Sequence, residues 1–185
     1  MSVFRRSRQQ ASCRRKDGQG FTLIELIVTL AVAAIIAAIG LPAMQQLINA
    51  NRLNGQAEEL SSAIQLARSE AVRTAAPVTI CGSEDGTTCA DTDEWSRVII
   101  RGRDNLASEG GDEVTSVYRD VTLPAGMQMS GPAAGVTFRP SGLSAAQATI
   151  TVCLPTTKPA QNQRVITVLI SGAARTTRND GAGEC

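Results

Sequence analysis

The side chains that could do chemistry are few, and the missing types narrow the field first. The 185-residue chain contains no histidine, which removes histidine general bases, serine–histidine triads and histidine-ligated zinc. Its five cysteines, Cys13, Cys81, Cys89, Cys153 and Cys185, include no C-x-x-C pair of the kind used in redox exchange or thiolate metal sites. The acids Glu84, Asp85, Asp91, Asp93 and Glu94 raise calcium, which collects carboxylate oxygens. The glycine and closing glutamate of an EF-hand do not fall at the required offsets, so a solvated loop is expected instead. Arginines gather at Arg97, Arg101 and Arg103 and again at Arg164, Arg175 and Arg178, the charge type that meets nucleic-acid phosphates. Solvated strands would carry the same residues. No catalytic constellation emerges, so the expected class is not an enzyme, with no cofactor and no metal.

What positions these groups begins with charge. The formal net charge is +1, yet residues 1–20 hold six of the 18 basic side chains (Arg5, Arg6, Arg8, Arg14, Arg15 and Lys16) against Asp17 alone. The remainder carries a net −4, which argues against a polyanion-binding surface spread over the whole chain. Leu26 to Met44 then reads LIVTLAVAAIIAAIGLPAM, 19 residues without a charge. As a helix this run spans roughly 28 Å, enough to cross a hydrocarbon core. A cleavable secretory signal is the rival reading, but its apolar region would be shorter and would end in a small-x-small site and a polar start. The basic leader should stay cytoplasmic, leaving everything after the span on the far side.

The leader ends at Gly20 and the apolar run opens directly with Phe21-Thr22-Leu23-Ile24-Glu25. The string G-F-T-L-I-E closely resembles the prepilin peptidase site of type IV pilins and type II secretion pseudopilins. The resemblance implies cleavage between Gly20 and Phe21, N-methylation of Phe21, loss of Cys13 with the leader, and retention of the apolar helix in a 165-residue mature chain. It also implies an inner-membrane subunit with a periplasmic body that later enters a filament, with prepilin peptidase and other pilin or pseudopilin subunits as partners. Glu25 is singled out because a carboxylate at the start of a span needs a partner. Thr22-Leu23-Ile24-Glu25 fits a capping box, a purely local role. The resemblance adds a second, pairing Glu25 with the methylated amine of Phe21 on a neighbouring subunit. Ala33/Ala37 and Ala34/Ala38 have the small-xxx-small spacing that allows close helix approach, although alanine is also simply a good helix former. Pro42, shortly after Gly40, should kink or loosen the helix.

Past the span, Leu47, Ala50, Leu53, Ala57, Leu60, Ile64, Ala67 and Ala71 recur at steps of three and four. One apolar stripe therefore continues, and the helix is expected from Thr22 to about Thr74, stopped by Ala75-Ala76-Pro77 after roughly 80 Å. Its second half should pack on a sheet. A coiled-coil dimer is the alternative, weakened by a stripe made largely of alanine. Six strand-like runs follow, at Val78–Cys81, Trp95–Arg101, Glu113–Arg119, Val136–Phe138, Ala148–Leu154 and Arg164–Ser171, separated by Gly, Pro and Ser clusters. The expected fold is α+β, a long N-terminal transmembrane helix on an antiparallel sheet body. Its divisions are a leader (1–20), an assembly helix (21–44), an amphipathic stem (45–76) and a β-rich body (77–185).

This order, with the stem QAEELSSAIQLARSEAVR (Gln56 to Arg73), resembles the GspH/FimT/FimU branch of minor pilins. The resemblance implies a structural subunit that initiates or caps a type IV pilus, with a type II secretion pseudopilin and a DNA-uptake subunit as alternatives. The four mature cysteines allow three pairings. Cys81 with Cys89 and Cys153 with Cys185 is the favoured one, a FimU-like arrangement that would close the loop C-G-S-E-D-G-T-T-C and fasten the tail. Each bond would contribute about 2 to 4 kcal/mol. DNA-uptake relatives carry a Gly-Arg-x-Arg pattern in the last hairpin. This chain has Gly172-Ala173-Ala174-Arg175, so Arg175 and Arg178 are retained as a DNA candidate without the first arginine of that pattern.

Overall fold

The computed structural model describes residues 20–103 and 115–185. The leader before Gly20, Cys13, Gly110-Gly111 and the expected strand start at Glu113 lie outside the described residues. Helix α1 (Leu23–Thr74) is followed by β1 (Val78–Gly82), β2 (Arg97–Arg103), β3 (Thr115–Thr122), β4 (Gln128–Ser130), β5 (Val136–Phe138), β6 (Ala148–Cys153), β7 (Gln163–Val168) and β8 (Ala174–Asn179). The strands form two antiparallel sheets, ordered β3-β2-β1-β5 and β4-β6-β7-β8. The chain divides into two compact units, one up to Leu41 and one from Pro42 to Cys185.

Helix α1 starts where Thr22 accepts the Glu25 amide through its hydroxyl (3.2 Å) and the Leu26 amide through its carbonyl (3.1 Å). It stops where Ala75 takes a left-handed φ of 50°, and Pro77 two residues later cannot resume it. In the second unit the stripe read from the sequence is buried from Leu53 onward, where Leu53, Ala57, Leu60, Ile64, Ala67 and Ala71, joined by Ala63, share one core with residues of both sheets, whereas Leu47 is exposed and Ala50 half-buried. These include Val78, Ile80, Ile100 and Phe138 from the first sheet and Ile150, Val152, Ile166 and Val168 from the second. The alanines that would make a weak coiled-coil seam let the helix backbone approach strand side chains closely. On the other face of the first sheet, Cys81 and Ile99 are directly paired and fully buried.

Among the described residues eight strands replace the expected six, for physical reasons that can be read residue by residue. β2 begins two residues later than expected because Trp95 joins the other sheet, its amide donating to the Met129 carbonyl at 2.9 Å. β7 ends at Val168 rather than Ser171, since the Gly172 amide closes a turn on the Leu169 carbonyl (2.9 Å). β4 is three residues long with a single buried side chain, Met129. β8 is exposed along nearly its whole length and so carries no apolar alternation.

Trp95 is the largest buried side chain and seals the join between the sheets. Its indole N–H donates to the Thr92 carbonyl (3.2 Å), and Gly82 and Gly131 lie against its ring so closely that a Cβ at Gly131 would come within 2.6 Å of it. Gly131→Ala is therefore expected to lower stability by about 1 to 3 kcal/mol through overpacking. Ile64→Ala, which leaves a cavity under the stem, is expected to cost about 2 to 4 kcal/mol. Denaturant unfolding followed by the fluorescence of Trp95 checks both.

Candidate functional site

In the first unit, every described residue from Gly20 to Leu41 is exposed. Leu23, Ile24, Ile36 and Ile39 each show about two-thirds or more of their surface. Helix α1 is long and apolar enough to cross a membrane, with a mean hydropathy of 2.6 in its most apolar window. The Gly20–Phe21 peptide precedes the first helical turn and is exposed. Half of the expected capping box is present: Thr22 caps the Glu25 amide, while the Glu25 carboxylate makes no hydrogen bond or ion pair among the described residues. The sole acid in this apolar stretch is thus left with unmet demand. Helix α1 runs on through Pro42, whose missing amide leaves the Ala38 carbonyl without its usual partner.

In the second unit, Cys81 is bonded to Cys89 and Cys153 to Cys185. The short loop inside the first bond is organised by Asp85, whose carboxylate accepts the amides of Thr87 and Thr88 at 2.8 Å and both threonine hydroxyls at 2.7 and 2.8 Å. These bonds hold the Asp85 carboxyl well below the usual carboxylate range, the backbone amides contributing most. Glu84, Asp93 and Glu94 line one rim of an open cleft of about 670 Å³ between the sheets, with Trp95, Met127 and Met129 in its wall. Among the described residues no three histidine, cysteine, aspartate or glutamate side chains are grouped to hold a metal.

The tail carries an organiser that sequence reasoning missed. Asn162 is fully buried; its amide nitrogen donates to the carbonyls of Leu154 and Glu184 (both 3.1 Å), and its oxygen accepts the Gly181 amide (2.8 Å). Nothing in its sequence neighbourhood sets it apart from a loop asparagine. One arginine of each grouping is engaged within the fold. Arg97 faces Asp120 at 3.3 Å. Arg164 is buried and donates to Asn54 of the stem and to the carbonyls of Gln161 and Gln163, all at 2.9 Å. Burial, with Arg178 opposite, lowers its pKa. Arg175 and Arg178 are exposed on β8, but they stand three positions apart along the strand, so they leave opposite faces. The fold does not bring them together as one phosphate-binding surface.

Comparison with known proteins agrees with this architecture. The family model described as type II transport protein GspH matches residues 56–174, more than half of the chain. The chain belongs to the GspH family. A second model, the prokaryotic N-terminal methylation motif, matches residues 15–41, and this motif implies processing by prepilin peptidase. No curated protein matches the chain. Among solved structures, the type IV minor pilin FimU of Pseudomonas aeruginosa strain PAO1 is 22% identical with a TM-score of 0.51, over 71% of this chain and 96% of that one. The minor pseudopilin EpsH from the type 2 secretion system of Vibrio cholerae is 16% identical with a TM-score of 0.49, over 69% of this chain and 97% of that one. This GspH-family chain is thus a minor pilin or pseudopilin, a structural class of subunit, and its fold is pilin-like.

Because the folded-state pKa of Asp85 is depressed, its stabilising contribution is complete above the usual carboxylate range and is lost only as pH falls well below it. Titration by carbon NMR should find Asp85 still ionised at a pH well below the usual carboxylate range. Asp85→Ala should speed amide exchange at Thr87 and Thr88 by about tenfold or more, the loss of a charge-assisted hydrogen bond.

Proposed function

We propose that the chain is a minor pilin that helps initiate or cap a type IV pilus. In this reading prepilin peptidase cuts between Gly20 and Phe21, and Phe21 becomes a methylated N-terminus. Residues 21–44 hold the subunit in the inner membrane before assembly, residues 45–76 form the stem, and residues 77–185 face the periplasm. One observation carries the proposal: an apolar half-helix that no described residue covers, bearing at its first turn a single carboxylate, Glu25, with no partner among the described residues. A lone acid in such a helix costs about 2 to 3 kcal/mol within a membrane. A neighbour's methylated amine, brought alongside during assembly, offsets that cost by direct charge pairing. Close approach at Ala33/Ala37 and Ala34/Ala38 and a loosened turn at Pro42 would help the helix adjust to its neighbours.

A second reading places the same chemistry in a type II secretion pseudopilus, and the description of the matching family model favours it. The two differ in the subunits that accompany the chain, not in the physics of its helix.

Mass spectrometry of the subunit purified from the envelope fraction tests the processing. The expected N-terminus is Phe21 carrying one extra methyl group. A soluble product beginning beyond Met44 would overturn the proposal. Glu25→Ala should still be cut and inserted yet fall out of filaments, and normal incorporation of that variant would remove the pairing role.

A further inference from the structure

Strand β8 closes one side of the second sheet and, among the described residues, has no strand beyond it. Its pairing with β7 runs from Val168↔Ala174 to Gln163↔Asn179, and just past the first of these pairs the Leu169 amide donates to the Ala173 carbonyl at 2.9 Å. In an antiparallel ladder, mutually bonded pairs alternate with unbonded ones. That bond therefore fixes Arg175, Thr177 and Asn179 as the residues bonded inward to β7. The amides and carbonyls of Ala174, Thr176 and Arg178 are turned outward, where a further strand could pair with them.

The same edge carries charge without an answer. Arg175 and Arg178 form no ion pair with a carboxylate among the described residues, and Arg178 stands directly across from Arg164, a like-charge pair that disfavours itself. Arg164 is already engaged by Asn54, Gln161 and Gln163, so an incoming anion would meet Arg178. An edge lined with arginine and threonine is protected against casual pairing with apolar strands but suits an acidic one.

We propose that β8 is a docking edge that takes up an extended acidic segment of a partner protein as a fifth strand, its carboxylates three residues apart. The spacing follows from the geometry. Residues opposite one another across a ladder share a face, and Arg175 and Arg178 occupy opposite faces, so their two partners must do the same. A phosphate backbone would need both arginines on one surface, and it would make no use of the outward amides. The inference stands apart from the assembly reading, since it depends on the second sheet and not on the apolar half-helix.

The test uses the full processed chain in detergent micelles and a short, fluorescently labelled threonine- and valine-rich peptide with two glutamates three positions apart. Anisotropy should show salt-sensitive binding, and hydrogen exchange should show new protection at Ala174, Thr176 and Arg178. Arg175→Ser and Arg178→Ser should each weaken binding roughly three- to fivefold. Moving the glutamates to alternate positions should weaken it by a similar factor. Thr176→Pro removes an outward amide while leaving both arginines and the bonds to β7, and should weaken binding about tenfold or more. The proposal is overturned if binding survives Thr176→Pro, if protection arises elsewhere, or if a double-stranded DNA oligomer binds this edge while the peptide does not.

Discussion

A single helix cannot bury its own apolar surface, and the rest of this molecule follows from where that surface finds cover. Along α1 (Leu23–Thr74) the same kinds of side chain meet two different fates. From Leu53 to Ala71 the apolar stripe is closed against two sheets, and its residues are almost wholly removed from solvent. From Phe21 to Leu41 equally apolar residues are left exposed by the described residues. Each large side chain left so exposed forgoes about 1.5 to 3 kcal/mol that burial would provide. Lipid or other helices would remove that deficit. Glu25 sharpens the requirement, because a helix neighbour that covers the apolar stretch must also answer a carboxylate.

The second unit needs to stay folded with few aromatic residues, 3% of the sequence. It does so by local constraints rather than by a large aromatic core. Trp95 is held between two glycines at the meeting of the sheets, the Cys81–Cys89 bond ties the Asp85 turn to β1, and the Cys153–Cys185 bond with Asn162 fixes a tail that would otherwise fray. Arg164 ties β7 to the stem through Asn54. The body is thereby joined to the helix by a polar contact as well as an apolar one, and the edge strand β8 is left open beside it.

Much of this was legible in the sequence where a repeating physical pattern wrote it. The stem was visible because Leu53, Leu60 and Ile64 recur at helical spacing, and a helix apolar enough to cross a membrane because Leu26 to Met44 carries no charge. β8 was invisible because ARTTRN, exposed on an edge, has no buried face to impose alternation. β4 was too short to show a period. Asn162 and Arg164 owe their roles to contacts far along the chain, Arg164 to a stem residue 110 positions away. An arginine counted with surface charge thus proved to be an interior tie. Arg175 and Arg178, grouped together in the sequence, were separated by the two-residue period of the strand.

The most direct test of the account is photo-crosslinking in intact cells from a reactive group placed at Ile36 or, in a second variant, at Ile64. Ile36 is two-thirds exposed and Ile64 wholly buried in the folded chain. The account predicts adducts to other pilin-like subunits from position 36 and only intramolecular products from position 64. Adducts to such subunits from position 64, or their absence from position 36 in cells that assemble filaments, would contradict it.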